Sequence, residues 1–201
     1  MERIPRQIIN QKQEIMNTVH KVLNGFDLEA IENTVTALKG NPKIAEFKFK
    51  ATNKWESGPR NTSQIQGFYG ACQDDATRAT PFECSTDMPK ILNGTDVAPS
   101  PPEFLLHTLA SCITTSMMLL ASANEIEVDE VTIRVEGDLN LNGFLGLDAC
   151  ILKEYEQIKV SIDVKGNLSE TEKVELLEFA KKSPIYNSIL NPVAIDVSLN
   201  A

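Results

Sequence analysis

The spacing of apolar residues changes period along the chain, and each change marks an element. Over residues 1–40 the pattern is helical. Ile8, Ile9, Ile15, Met16, Val19, Val22 and Leu23 fall near one helical face, with Gly25 as a stop. Asp27 is placed to cap a second helix carrying Leu28, Ile31, Val35 and Leu38, closed by Gly40 and Pro42. Residues 1–42 are therefore expected as an N-terminal helical extension with a packing role, and residues 43–201 as the main domain. From residue 45 the period falls to two. Phe47, Phe49 and Ala51 alternate with lysines and predict a strand running towards Trp55. Glu56–Asn61 reads as a turn or loop, with further strands near 63–69 and 80–87. Residues 89–102 hold four prolines and a glycine and read as a loop.

Ser100-Pro101-Pro102-Glu103 has the signature of a helix start: a serine cap, proline in the first turn, and glutamate three residues on as the capping-box partner. Phe104–Ala123 then runs twenty residues without Asp, Glu, Lys or Arg. That length suffices to span a bilayer. However, Thr108, Ser111, Thr114, Thr115, Ser116 and Ser122 dilute it, and no basic flank follows. A helix buried on all sides, at the centre of a domain or a dimer, is the expectation. Beyond it, Val131, Ile133 and Val135 alternate as a strand, and 137–146 reads as strand with glycine-marked bends. Ile158, Val160, Ile162 and Val164 make another strand. Ser169 and Glu172 form a second capping box before a helix with Val174, Leu176, Leu177 and Ala180. Ser183-Pro184 opens a short helix, and Val193, Ile195, Val197 and Leu199 predict a closing strand. The order of elements gives an α+β fold, with helices packed on antiparallel sheet.

Composition narrows the partners. A formal net charge of −9 repels phosphate backbones, and the basic residues form no patch, so no nucleic-acid partner is expected. The first residues carry no apolar signal core, and a soluble, cytoplasmic protein with no membrane partner is expected. The four cysteines, Cys72, Cys84, Cys112 and Cys150, form no CxxC pair, and histidine is limited to His20 and His107. No metal site and no cofactor are expected. By pattern alone Cys112 reads either as a small core cysteine or as a nucleophile at a cleft floor, which would need nearby cations or donors. His107 is placed one turn after Glu103, where the two can pair, and the spacing of five to Cys112 disfavours a Cys–His pair within one helix. Trp55 and Phe68-Tyr69 read as core or edge residues, or as the lining of an apolar mouth.

Three segments in order carry a resemblance. Pro99 to Thr115, with Glu103 and Leu109-Ala-Ser-Cys112, resembles the P-x-E-L-L-x-x-L-A-x-C helix motif of the OsmC/Ohr family. Val131 to Gly146 resembles that family's V-x-V-x-G-D-L-D-x-R-G-F-L-G stretch. Ser183-Pro-Ile-Tyr-Asn with Asn191-Pro-Val193 resembles its C-terminal segment. The similarity spans roughly residues 45–200. It implies an intertwined homodimer in which curved antiparallel sheets wrap two central helices, with active sites at the subunit interface. It also implies thiol-dependent reduction of organic hydroperoxides, with Cys112 as the peroxidatic cysteine and an external thiol as reductant. The second, resolving cysteine of the family falls on Ser183, so a one-cysteine reaction is implied, or none. Cys72, Cys84 and Cys150 lie outside the resolving position. The family's arginine, which holds the thiolate, is best matched by Arg60 and next by Arg78. Its glutamate is matched by Glu103, although nine residues at about 100° each set Glu103 and Cys112 on opposite helix faces. Two other readings stay open: a non-catalytic protein using the interface pocket for a small apolar ligand or a persulfide-type modification at Cys112, and a structural dimer with an inert Cys112.

Overall fold

The computed structural model describes residues 21–191 and 193–199. The first expected helix therefore lies largely outside the described residues. Its last positions are not helical: Val22–Leu23 (β1) and Phe26–Asp27 (β2) form a small antiparallel hairpin. Asn24 and Gly25 turn it with φ of 50° and 83°. An Asn-Gly pair is the preferred two-residue hairpin turn, so Gly25 acts here as a turn residue rather than a helix stop. The second expected helix is present as α1 (Leu28–Gly40), capped by the Asp27 side chain. The Asn24 amide ties the hairpin to the rest of the chain. Its Nδ2 donates to Ser122 Oγ (3.1 Å) and the Ile126 carbonyl (2.9 Å), and its Oδ1 accepts from the Val128 N–H (2.9 Å).

The C-terminal half holds the core. Helix α2 (Pro101–Ala123) starts with the expected capping box. It packs against β9 (Glu130–Asp138), α4 (Glu170–Ala180) and α5 (Pro184–Leu190). β9 pairs with β10 (Gln157–Lys165) in an antiparallel ladder from Glu130↔Lys165 to Asp138↔Gln157. Alternation places Val131, Ile133 and Val135 with Ile158, Val160, Ile162 and Val164 on the inner face. Leu109, Ile113, Met117 and Ala121, spaced by four, form the buried stripe of α2. They meet Leu176, Phe179 and Ala180 of α4 and the Ile126–Val128 connection. Burying one such large side chain is worth roughly 1.5–3 kcal/mol.

The N-terminal half consists of two three-stranded antiparallel sheets. One has the order β3–β6–β7 (Lys48–Phe49, Phe68–Gly70, Gln73–Asp75). The other is β4–β5–β8 (Thr52–Ser57, Arg60–Ile65, Phe82–Thr86). The expected strand from 47 to 55 is thus two short strands. The expected turn at 56–61 is tighter than its sequence suggested, closing at Gly58-Pro59 so that Arg60 opens β5. β7 was not expected, because Gln73-Asp74-Asp75 has no apolar alternation.

Three further expectations change. Residues 137–146 are not a bent strand: β9 ends at Asp138 and Leu141–Phe144 form a one-turn helix, α3, capped by the Asn140 side chain. Gly143 lies there because a Cβ would come within 1.8 Å of the Leu152 carbonyl oxygen. Residues 193–199 form no ladder. They run exposed, with Ile195 84% and Leu199 97% accessible. Finally, α2 is long and apolar enough to cross a membrane by length and composition, yet it is not buried all round. Among the described residues one face of it is covered, and no second layer lies over the other.

Candidate functional site

Cys112 is the residue on which the site is built. With 100° per residue, Leu105, Thr108, Leu109, Thr115, Ser116 and Leu119 fall within about 60° of it around the helix, the buried Leu109 marking the edge towards the core. Leu105, Thr108, Thr115 and Leu119 are all exposed, and Cys112 and Ser116 are half-buried. The free Cys112 thiol therefore sits at the centre of the uncovered, uncharged face of α2, about 100–180° round from the stripe Ile113–Met117–Ala121 that fills the core. Thr108 and Thr114 bond back to the carbonyls of Phe104 and Ala110, so their hydroxyls are partly occupied within the helix.

The other candidates occupy different places. Arg60 lies on β5, in the sheet β4–β5–β8, and its Nη2 pairs with Glu56 Oε2 at 3.3 Å on a half-exposed surface. No hydrogen bond joins it to Cys112. Arg78 is spent on packing: its guanidinium lies over the rings of Phe68 and Phe82, 5.3 and 5.1 Å from their centroids, and donates to the Gln66 carbonyl. Glu103 is engaged at the start of α2. Its Oε2 accepts from the Ser100 N–H (2.7 Å) and hydroxyl (2.6 Å), which hold its carboxyl below the ordinary range against the opposing effect of burial. It lies on the far side of the helix from Cys112. His107 meets Phe104 edge-on.

Ser183 is fully buried and caps α5, accepting the Tyr186 N–H on its Oγ. Cys72 and Cys150 are exposed, and Cys84 is half-buried on β8 opposite Ser63. Among the described residues no disulfide forms, and no group of three or more His, Cys, Asp or Glu side chains converges as a metal site. Trp55 is 69% exposed, with its indole N–H on the Gly58 carbonyl. Phe68 stacks with Phe47 and meets Phe49 at a tilt on the same sheet.

Two features escaped the sequence reading. A cleft of about 510 Å³ opens beside the first half of α2, walled by Leu105, Leu109, Tyr186 and Ile189 and rimmed by Glu154 and Glu156. Its walls come from three separate elements, so no local pattern announces it. Tyr155, which also lines it, donates its hydroxyl to the Pro102 carbonyl. Burial, and then the Glu103 charge, raise its phenol above the usual tyrosine range. The second feature is Asp87, fully buried after β8. It accepts from the N–H groups of Met88, Thr95 and Val97 and from the Thr95 hydroxyl. These bonds, the Thr95 hydroxyl foremost and against the cost of burial, lower its carboxyl to about 2. Asp87 thereby shapes the proline-rich loop that delivers the chain to Ser100.

Comparison with known proteins places this geometry. No curated protein matches the chain by sequence. Among solved structures, an OsmC-like protein from Mycoplasma pneumoniae is 21% identical, with a TM-score of 0.56 over 72% of this chain and 89% of that one. A protein of Psychrobacter arcticus, described provisionally as an osmotic-stress-induced and detoxification response protein, is 19% identical, with a TM-score of 0.54 over 71% and 88%. Both likenesses speak for the fold. The family model of the OsmC-like proteins matches residues 94–198, from the Asp87-bound loop to the final extended segment and more than half of the chain. The chain belongs to the OsmC-like protein family.

Proposed function

We propose that the protein is a one-cysteine, thiol-dependent reductase of organic hydroperoxides, working as a soluble cytoplasmic homodimer in stress defence. Membership of the OsmC-like family supports a stress- and peroxide-related role. The observation that carries the finer reading is the position of Cys112 at the centre of the uncovered face of α2.

In this reading the Cys112 thiolate attacks the distal oxygen of R–O–O–H. The S–O bond forms, the O–O bond breaks, and the alkoxide leaves as alcohol after taking a proton. Cys112 is left as a sulfenic acid. With serine at 183, no cysteine of the family's resolving position can condense with it. An external thiol therefore forms a mixed disulfide, releasing water, and a second thiol returns Cys112 to the reduced state. Arg60 stabilises the thiolate by a charge-assisted contact. In its own chain Arg60 pairs with Glu56 and the sheet β4–β5–β8 makes no extensive packing contact with α2, so Arg60 is assigned to the partner's Cys112. Glu103 contributes by fixing the start of the helix that carries Cys112.

The dimer is supported by what a single chain leaves open. Among the described residues the uncharged Cys112 face, the Phe47–Phe49–Phe68 cluster and the apolar segment 193–199 lie exposed. Among the same residues both edges of the β9–β10 ladder lack a neighbouring strand. The second reading, a non-catalytic binding protein for a small apolar ligand, is favoured by one observation: Ser183 is buried and occupied as a helix cap. Intact-mass spectrometry after stoichiometric cumene hydroperoxide with a dimedone trap separates the two. A trapped sulfenic acid on wild type that is absent from Cys112→Ser is the expected result. No adduct and no disulfide would leave the binding reading.

A further inference from the structure

The apolar cleft beside α2 begins within a turn of Cys112. Leu109 precedes it by three residues, about 4.5 Å along the axis, and Leu105 by seven, about 10.5 Å and on nearly the same helix face. The opposite wall, from Tyr186 and Ile189 on α5, is also apolar. A group held at the Cys112 sulfur can therefore lay a hydrocarbon substituent along α2 into this space. The rim is of one sign: Glu154 and Glu156 line it, and no lysine or arginine does. Glu103, bound to Ser100 at the start of α2, adds a further negative charge close to this end of the cleft, where the Tyr155 hydroxyl meets the Pro102 carbonyl. A partly enclosed apolar cleft with low-dielectric walls strengthens the field of charges at its mouth.

The geometry points to a ligand class: the cleft takes the hydrocarbon part of neutral or cationic molecules, and Glu154 and Glu156 turn away molecules that carry a carboxylate. This deepens the hydroperoxide reading and rests on it for the identity of the reacting group. It assigns two specificity-determining residues that have no part in the chemistry at sulfur. The preferred peroxides are then neutral alkyl, aryl or esterified ones, and free fatty-acid hydroperoxides are poor substrates.

Binding of three molecules with one chain and three head groups tests this without any turnover. The probes are n-decanol, n-decyltrimethylammonium and n-decanoate, titrated calorimetrically below their micelle concentrations into the full-length protein at low salt. Decanol and the cation are expected to bind, and decanoate at least tenfold more weakly. In the double variant Glu154→Gln/Glu156→Gln the decanoate penalty should shrink to about threefold or less. Ile189→Asp, an exposed change that leaves the core untouched, should weaken decanol by a similar tenfold. Equal binding of all three probes, no binding of decanol or of the cation, or a decanoate penalty unmoved in the double variant would each overturn the assignment. Oxidation of Cys112 by cumene hydroperoxide is followed in parallel. If decanol binds as expected but Cys112 is never oxidised, the peroxidase reading falls and the ligand class stands.

Discussion

On β9–β10 each strand has a dry face and a wet one. Its valines and isoleucines face α2, and its outer face carries Glu130, Arg134 and Glu136 opposite Lys159, Asp163 and Lys165. On β4 all six residues, Thr52–Ser57, are exposed, and the neighbouring β3–β6–β7 sheet leaves Phe49 74% accessible. The first sheet has its inner face covered within one chain, although its two edges stay open. The second has aromatic surface and no core of its own, which for strands of this length is not a stable end state in water. The difference teaches that the chain is two half-structures of unequal self-sufficiency. Arg60 belongs to the half that needs a cover, and Cys112 faces the gap in the half that offers one.

The sharpest way to break this comparison is to mix two inactive variants. Arg60→Ala and Cys112→Ser, each nearly inactive alone, are expected to regain about a quarter of wild-type peroxide consumption when co-refolded in equal amounts. Half of the dimers would then be mixed, and each mixed dimer would hold one intact site built from both chains. Absence of recovery, with mixed dimers verified by mass, would put Arg60 and Cys112 in the same chain or Arg60 outside the site.

Next in size is a core truncation set against a sheet truncation. Met117→Ala removes a fully buried side chain from the stripe of α2 and should cost about 2–5 kcal/mol in chemical denaturation. Phe49→Ala should barely change the unfolding of dilute, dissociated chains, while raising the dimer dissociation constant measured by sedimentation. A large loss of stability at every concentration from Phe49→Ala would mean that the N-terminal sheets have a core within their own chain.

Asp87 gives a pH signature between the two halves. Its folded carboxyl lies at about 2, below the ordinary 3.8. A lowered value stabilises the fold fully above about pH 4, and that contribution is lost as pH falls through 4 towards 2. Glu103 and Glu172 are lowered by their serine partners and act in the same direction, so the difference between wild type and Asp87→Asn isolates the one residue. The variant should melt roughly 5–10 °C lower at pH 7, with the gap narrowing by pH 2. A constant gap across that range would show that the charge of Asp87 is not what holds the loop.

How much of this was legible in the sequence follows from how local each signal is. Helix α2, both capping boxes and the β9–β10 ladder were readable, because a cap needs four residues and a period needs eight. Cys112 and its bare face follow from the twenty-residue uncharged run, though the pattern alone gave burial on all sides. The single chain supplies only one of the covers that such a run implies. β7 was invisible, since its polar residues pair through backbone alone. The segment 193–199 has the alternation of a strand but no partner strand among the described residues. The cleft was unreadable because Leu105, Glu154 and Tyr186 come from segments dozens of residues apart. Arg60 was suggested by resemblance, and its pairing with Glu56 is a matter of tertiary and local packing that the resemblance does not encode.

The smallest expected effect tests the wet face of β9–β10. Lys165 Nζ and Glu130 Oε2 are 2.9 Å apart, Lys159 and Glu136 3.1 Å, and Arg134 pairs with Asp163, all between side chains that are mostly exposed. Such pairs pay side-chain entropy to hold their geometry and are screened by salt, so Lys165→Met should change unfolding free energy by less than about 1 kcal/mol. The change should shrink further at 0.5 M salt, and sedimentation should be unaltered. A shift of several kcal/mol, or a dimer that weakens, would mean that this face is covered in the assembled protein. The two sheets would then differ only in what covers them, and the contrast between a finished half and an unfinished one would fail.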